Sequence, residues 1–223
     1  MAIVELDGPR REPERGPALS LVVLLHGYGA NGEDLIGLAD AWRGLLARTA
    51  FVAPNAPERL PFAGAMGFQW FPLTMRDPEE YLRGAVTVAP ALQRFVDSEL
   101  ARYGLDARRL ALVGFSQGTM MALHVGLRRQ TAPAAVVGFS GVIAGPERLG
   151  AELRCRPPVQ LIHGAADDVI PVEACHLTRE ALAASGVAVE WHIRPDLGHG
   201  IDGQGLAYAG SFLAQHLKEP ALR

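Results

Sequence analysis

The pentapeptide Gly114-Phe115-Ser116-Gln117-Gly118 limits what this chain can become more than any other stretch of it. Before it, Arg109 leads into Leu110-Ala111-Leu112-Val113, a short apolar run that reads as a buried strand, and residues 119–129 after it read as a helix. A serine with a glycine two residues to either side, between a strand and a helix, sits on a very tight turn. Its backbone is strained, and a side chain at either glycine would collide with the neighbouring strand or helix. The turn holds the serine Oγ above the sheet and leaves the next N–H at a helix N-terminus, free to bind an anion. In a chain with 25 glycines the pattern alone is weak evidence; its flanks and the order of residues downstream give it weight.

The length, 223 residues, suits one domain spanning 1–223 with a core that needs no covalent staple. Hydrophobic residues make up 49% and charged residues 20%, the balance of an ordinary globular protein. A net charge of −3 with no basic block argues against a nucleic-acid partner. No run approaches the roughly 18 apolar residues of a membrane span. Residues 1–7 lack both the charged region and the apolar stretch of a signal peptide. Cys155 and Cys175 sit in no metal-like or redox spacing, so no metal is expected and a reduced, cytoplasmic setting is. Neither charge nor surface pattern decides the oligomeric state.

Residues 2–6 read as an edge strand, and the polar segment 8–18, with Pro9, Pro13 and Pro17, as a surface connection. Residues 19–25 form a continuous apolar strand of the kind buried on both faces. A turn at 26–32 leads into a helix from Glu33 to about Arg48, and Phe51-Val52-Ala53 is a second strand. Residues 58–78 are irregular but carry Leu60, Phe62, Met66, Phe68, Trp70, Phe71 and Leu73. A helix over about 79–103 follows, kinked or broken at Pro90. Strands at 134–139, 159–163 and 187–193 alternate with helices at 172–185 and 203–217. That alternation predicts a mostly parallel sheet with helices on both faces. The connection between residues 139 and 159 is too short for an inserted cap domain, so the site should be walled by loops.

A serine hydroxyl needs a base to take its proton and a carboxylate to orient that base. Of 7 histidines, His199 in Leu197-Gly198-His199-Gly200 lies after the last strand and before the last helix, downstream of both serine and acid. His26 and His163 each end an apolar strand before a glycine and read as structural hydrogen-bonders. His192 falls on the polar face of its strand, and His124, His176 and His216 lie within helices. Two neighbours, Asp167 and Asp168, follow the 159–163 strand; one would orient the base and the other cap the next helix, and spacing alone does not choose between them. The oxyanion donors would be the backbone N–H groups of Gln117 and Tyr28, and because main-chain atoms serve, side-chain identity there should matter little.

Gly27-Tyr28-Gly29-Ala30-Asn31-Gly32 also fits a dinucleotide-binding fingerprint. The acidic residue that should follow about twenty positions later is missing, and Glu33 and Asp34 would stand where a pyrophosphate belongs, so no cofactor is expected. The aromatic 58–78 segment suggests an apolar wall for a substrate's acyl part, with Trp70 and Phe71 as candidates. Ser140, in Gly138-Phe139-Ser140-Gly141, lacks the second glycine of the tight turn and reads as structural.

The ordered set Leu25-His26-Gly27-Tyr28-Gly29, Pro54-Asn55-Ala56-Pro57, Gln69-Trp70-Phe71, Gly114 to Gly118, Gly138 to Gly141, His163-Gly164 with Asp167 and Ile170-Pro171, and Gly198-His199-Gly200 resembles the phospholipase/carboxylesterase family, which includes bacterial carboxylesterases and acyl-protein thioesterases. The resemblance covers nearly the whole chain from about residue 19. It implies a small uncapped α/β-hydrolase fold and cofactor-free hydrolysis of carboxylic esters or thioesters by a Ser116–His199–Asp167 triad. Of the two aspartates, it implies Asp167. One departure concerns the substrate: Gly67 to Pro72 lacks the acidic residue that many members carry after Trp-Phe or Trp-Tyr, so the thioesterases' acyl preference does not carry over. The expected activity is a serine carboxylesterase for small to medium acyl chains, with a thioesterase or lysophospholipase for long chains as the alternative.

Overall fold

The computed structural model describes residues 4–61 and 66–217. Strand β1 (Arg10–Arg11) precedes β2 (Ser20–Leu25), whose residues are all buried. Leu21, Val23 and Leu25 point into one hydrophobic cluster while Val22 and Leu24 point into another, which is why the run is apolar without alternation. Two short helices follow, α1 (Gly32–Ile36) and α2 (Leu38–Trp42), then β3 (Thr49–Val52). A small hairpin pairs β4 (Glu58–Arg59) with β5 (Phe68–Gln69). Helix α3 (Pro78–Arg102), β6 (Leu110–Phe115), α4 (Gln117–Gly126) and β7 (Ala135–Phe139) complete the middle of the chain. Then come α5 (Leu149–Glu152), β8 (Val159–Gly164), α6 (Glu173–Ala184), β9 (Val189–Arg194) and α7 (Gly203–His216).

Seven strands form one sheet in the order β1-β3-β2-β6-β7-β8-β9, parallel throughout except for β1. Helices α3, α4 and α6 bury one face of it, with Leu92, Met120 and Leu182 among the contacts. Helices α1, α2 and α7 bury the other through Ile36, Trp42 and Phe212. The expected mostly parallel sheet with helices on both faces is the observed α/β-hydrolase arrangement. The β7–β8 connection carries only a 3-10 turn (Pro146–Arg148) and the one-turn α5. Among the described residues no helix is long and apolar enough to cross a membrane.

The chain winds outward from β2 to β3, then crosses back so that β6 pairs with the other side of β2. Strand order therefore reverses between β2 and β6, and in open parallel sheets the crevice beyond the strand C-termini at such a reversal receives ligands. The loops after β2, β6, β8 and β9 all leave from that same edge.

Three local expectations are corrected. Residues 4–6 form no strand, and residues 1–3 lie outside the described set. The edge strand is Arg10–Arg11, inside the segment read as a polar connection. It is fixed there because the Arg10 guanidinium forks onto the buried Glu99 carboxylate of α3, at 2.7 and 3.0 Å. The helix expected from Glu33 to Arg48 divides at Gly37 into α1 and α2, glycine being a poor helix former. Its start holds: Asn31 and Asp34 close a reciprocal capping box. Helix α3 runs unbroken through Pro90.

Candidate active site

Ser116 occupies the turn between β6 and α4 with φ +54, a conformation L-residues rarely adopt. The flanking glycines are required by close approach: a Cβ on Gly118 would overlap the Leu25 carbonyl of β2, and one on Gly114 would overlap the Gly118 carbonyl. The Ser116 N–H donates to the Phe139 carbonyl of β7 at 2.9 Å, tying the turn to the next strand.

Asp167 lies three residues beyond β8 and His199 in the loop after β9. These loops are stitched together, since the Ala165 N–H donates to Arg194 O at 2.8 Å and the Ala166 N–H to Leu197 O at 3.0 Å. Behind the histidine, Asp202 caps α7 by accepting the Gly205 N–H at 2.7 Å and pairs with Arg194 at 2.9 Å. His199 Nδ1 lies 2.8 and 3.0 Å from the two Asp167 oxygens, and its Nε2 lies 3.0 Å from Ser116 Oγ. A carboxylate only accepts, so Nδ1 carries the proton and Nε2 faces the serine as the acceptor. Phe115 flanks the imidazole, ring centroids 5.0 Å apart.

The Asp167 side chain is wholly buried. Burial alone would raise its pKa, but hydrogen bonds from the Ile170 N–H, the His199 ring and the Val169 N–H outweigh it and hold the carboxyl below its ordinary range. Asp168, its exposed neighbour, does not cap α6: the N-cap residue is Val172, without a side-chain cap. His163 Nε2 lies 3.4 Å from Asp167 Oδ2 while donating to the Ile170 carbonyl at 2.8 Å, so it braces the acid's loop.

On the other side, Tyr28 and Gln117 line the same cavity as Ser116 and His199. As the first residue of α4, Gln117 has an N–H with no acceptor inside its own helix. The Tyr28 loop comes very near: a Cβ on Gly27 would stand 3.3 Å from Ser116 Cβ and 3.0 Å from Phe115 Cδ1. Backbone bonds in both directions, Gly29 N–H to Phe68 O and Phe68 N–H to Ala30 O, each 2.8 Å, fasten this loop to β5.

Trp70 and Phe71 do not form the acyl wall expected of them. Trp70 is 0% and Phe71 2% exposed, and neither lines the cavity. Trp70 instead joins the two loops that flank Ser116. Its indole N–H donates to the His26 carbonyl at 2.9 Å, and its backbone N–H donates to Gln117 Oε1 at 2.9 Å. Gln117 Nε2 donates in turn to the Phe71 carbonyl at 2.7 Å. The Gln117 side chain, expected to be indifferent, is thus fully engaged. His26 is structural, as read: it accepts the Ala56 N–H at Nε2 and donates from Nδ1 to the Gly27 carbonyl.

The cavity over Ser116 measures about 150 Å³. Its apolar lining comes from Leu73, Met120, Val169 and Ile170, and its rim from Arg76 and Tyr81. None of these was singled out as a pocket residue from the sequence, although Leu73 belongs to the apolar 58–78 segment. Phe62 of that segment lies outside the described residues. A serine hydrogen-bonded to a buried His–Asp pair, at a small cavity lined by the start of α4 and the Tyr28 loop, has the parts that acyl transfer needs.

The model of the phospholipase/carboxylesterase family matches residues 7–217. The crystal structure of esterase PE8 superimposes with a TM-score of 0.92 at 44% identity, covering 96% of this chain and all of that one. Among curated proteins, the esterase YpfH of Escherichia coli K12 is 28% identical over 86% of this chain and 81% of its own length. Acyl-protein thioesterase 1 of Gibberella zeae is 25% identical over 92% of this chain and 94% of its own.

Proposed function

The chain belongs to the phospholipase/carboxylesterase family and is a carboxylic ester hydrolase, and from that premise we propose that it is a serine carboxylesterase acting on esters of small to medium acyl chains through an acyl-enzyme. In this reading Ser116 Oγ attacks the ester carbonyl as His199 Nε2 takes its proton. Asp167 holds the imidazole in the required tautomer and stabilises the imidazolium. The N–H groups of Tyr28 and Gln117 bind the tetrahedral oxyanion. His199 then protonates the leaving alcohol, and afterwards activates a water that releases the acid from Ser116. No cofactor takes part.

The observation that carries the reading is the unbroken Ser116–His199–Asp167 hydrogen-bond line opening into a cavity of about 150 Å³. Pockets that engulf drug-sized ligands measure about 300–1,000 Å³, so this one suits a short acyl group. The test is hydrolysis of 4-nitrophenyl esters from acetate to palmitate. A maximum at butyrate to octanoate is expected; a maximum at laurate to palmitate would replace this reading with a long-chain deacylase acting on lipids or acylated proteins.

A further inference from the structure

Among the residues that line the cavity over Ser116, Arg76 is the one with a permanent positive charge. The other titratable side chains there are Tyr28, Tyr81 and His199, and no carboxylate lines the cavity. Asp167, behind His199, is committed to that histidine and to the Val169 and Ile170 N–H groups. Most exposed arginines signify nothing, and three observations set this one apart.

First, Arg76 is held in place at its backbone. Its φ is +56, a left-handed conformation uncommon for a residue with a long side chain. The Glu80 carboxylate fixes that turn by accepting the N–H groups of Thr74 at 2.7 Å, Met75 at 3.0 Å and Arg76 at 2.7 Å. Tyr81, itself a cavity residue, donates its hydroxyl to the Arg76 carbonyl at 3.0 Å. Secondly, the adjacent Asp77 caps α3 by accepting the Glu80 N–H at 2.8 Å, and both Glu80 oxygens are spent on those backbone groups. Among the described residues the Arg76 guanidinium has no ion pair, whereas Arg10, Arg128, Arg129 and Arg194 are each paired. Thirdly, the rest of the lining is apolar or neutral-polar beside Ser116 and His199, so the guanidinium is the fixed charge able to distinguish an anionic substrate from a neutral one.

We infer that Arg76 selects esters carrying an anionic group, a carboxylate above all, a few bonds from the scissile carbonyl. The planar, always-charged fork of donors suits a carboxylate. The inference rests on the serine-esterase reading and narrows its substrate class: the uncharged part of the substrate fills the small apolar cavity and the anion meets Arg76 at the rim.

Two substrate pairs place the charge on either side of the reacting bond. Mono-4-nitrophenyl adipate beside 4-nitrophenyl hexanoate puts it on the acyl group, and 3-acetoxybenzoate beside 3-acetoxybenzamide puts it on the leaving group. The readout is the ratio of kcat/KM, anionic over neutral, in the wild type, Arg76→Gln and Arg76→Glu. In at least one pair the ratio should fall about tenfold in Arg76→Gln and further in Arg76→Glu. The wild-type ratio in that pair should also decline as salt rises from 20 mM to 500 mM, an interval on the order of the range over which exposed charges become screened. If all four esters are hydrolysed and neither ratio moves among the three proteins, Arg76 has no part in selection and the inference falls while the esterase reading stands. If the wild type hydrolyses none of them, the esterase reading fails and takes the inference with it.

Discussion

Gln117 holds Trp70. The Gln117 side-chain oxygen accepts the Trp70 backbone N–H at 2.9 Å, while the residue itself lines the cavity at the start of α4. The residue next to Ser116 therefore also fixes the segment that braces the opposite loop. Gln117→Ala leaves the buried Trp70 N–H and Phe71 carbonyl without partners. The expected cost is about 2 kcal/mol of stability, read by urea unfolding. A fall in kcat of roughly tenfold should accompany it as the Tyr28 loop loosens. An unchanged unfolding midpoint would show that the clamp carries no strain-bearing role.

The two adjacent aspartates should separate sharply. Asp167→Asn removes the group that fixes the His199 tautomer, and a loss of about 10⁴-fold in kcat is expected. Asp168 is exposed and touches neither His199 nor Ser116, so Asp168→Asn should stay within about twofold of wild type. Steady-state rates on 4-nitrophenyl butyrate decide the matter. The opposite ranking would move the acid by one residue.

Acid stability should depend on His124. Burial within α4 and the neighbouring Arg128 push its pKa from the ordinary 6.5 down to about 4, with Glu152 opposing. Between those values the unfolded chain binds the proton and the folded chain does not. Stability from this group is therefore present above pH 6.5 and lost as pH falls toward 4, by about 3 kcal/mol in all. Unfolding free energies at pH 7 and pH 4.5 should drop more in the wild type than in His124→Gln. The other histidines with lowered pKa, His26, His163 and His192, are common to both proteins and cancel. Equal drops would mean that His124 is not held neutral.

Much of this arrangement can be read directly from residue order. The strands β2, β6, β7 and β8 announce themselves because burial on both faces demands unbroken apolar runs, and Gly114 and Gly118 mark the turn because only glycine clears the β2 carbonyl and the chain's own backbone there. His199 follows from its station after the last strand, whereas station leaves Asp167 and Asp168 open and only the family resemblance points to Asp167. The buried role of Trp70 is not legible in the sequence, for a physical reason. An aromatic in an irregular segment gives no periodicity from which to tell a cavity wall from a buried strut, and its two hydrogen bonds reach residues far away in sequence. The indole N–H held the available hint, since a buried tryptophan needs an acceptor. Arg76 gives no sequence signal because its place at the cavity depends on a left-handed turn held by Glu80 and Tyr81, which composition does not reveal. The edge strand at Arg10–Arg11 was hidden because a long-range ion pair to Glu99, not apolar patterning, fixes it.

The central claim is that Ser116 is the nucleophile. Its most direct test is the hydrolysis of 4-nitrophenyl butyrate by wild type and Ser116→Ala, with circular dichroism to establish that both are folded. The account predicts a loss of at least about 10⁴-fold in kcat with the fold unchanged. Activity within tenfold of wild type in the folded variant would contradict it.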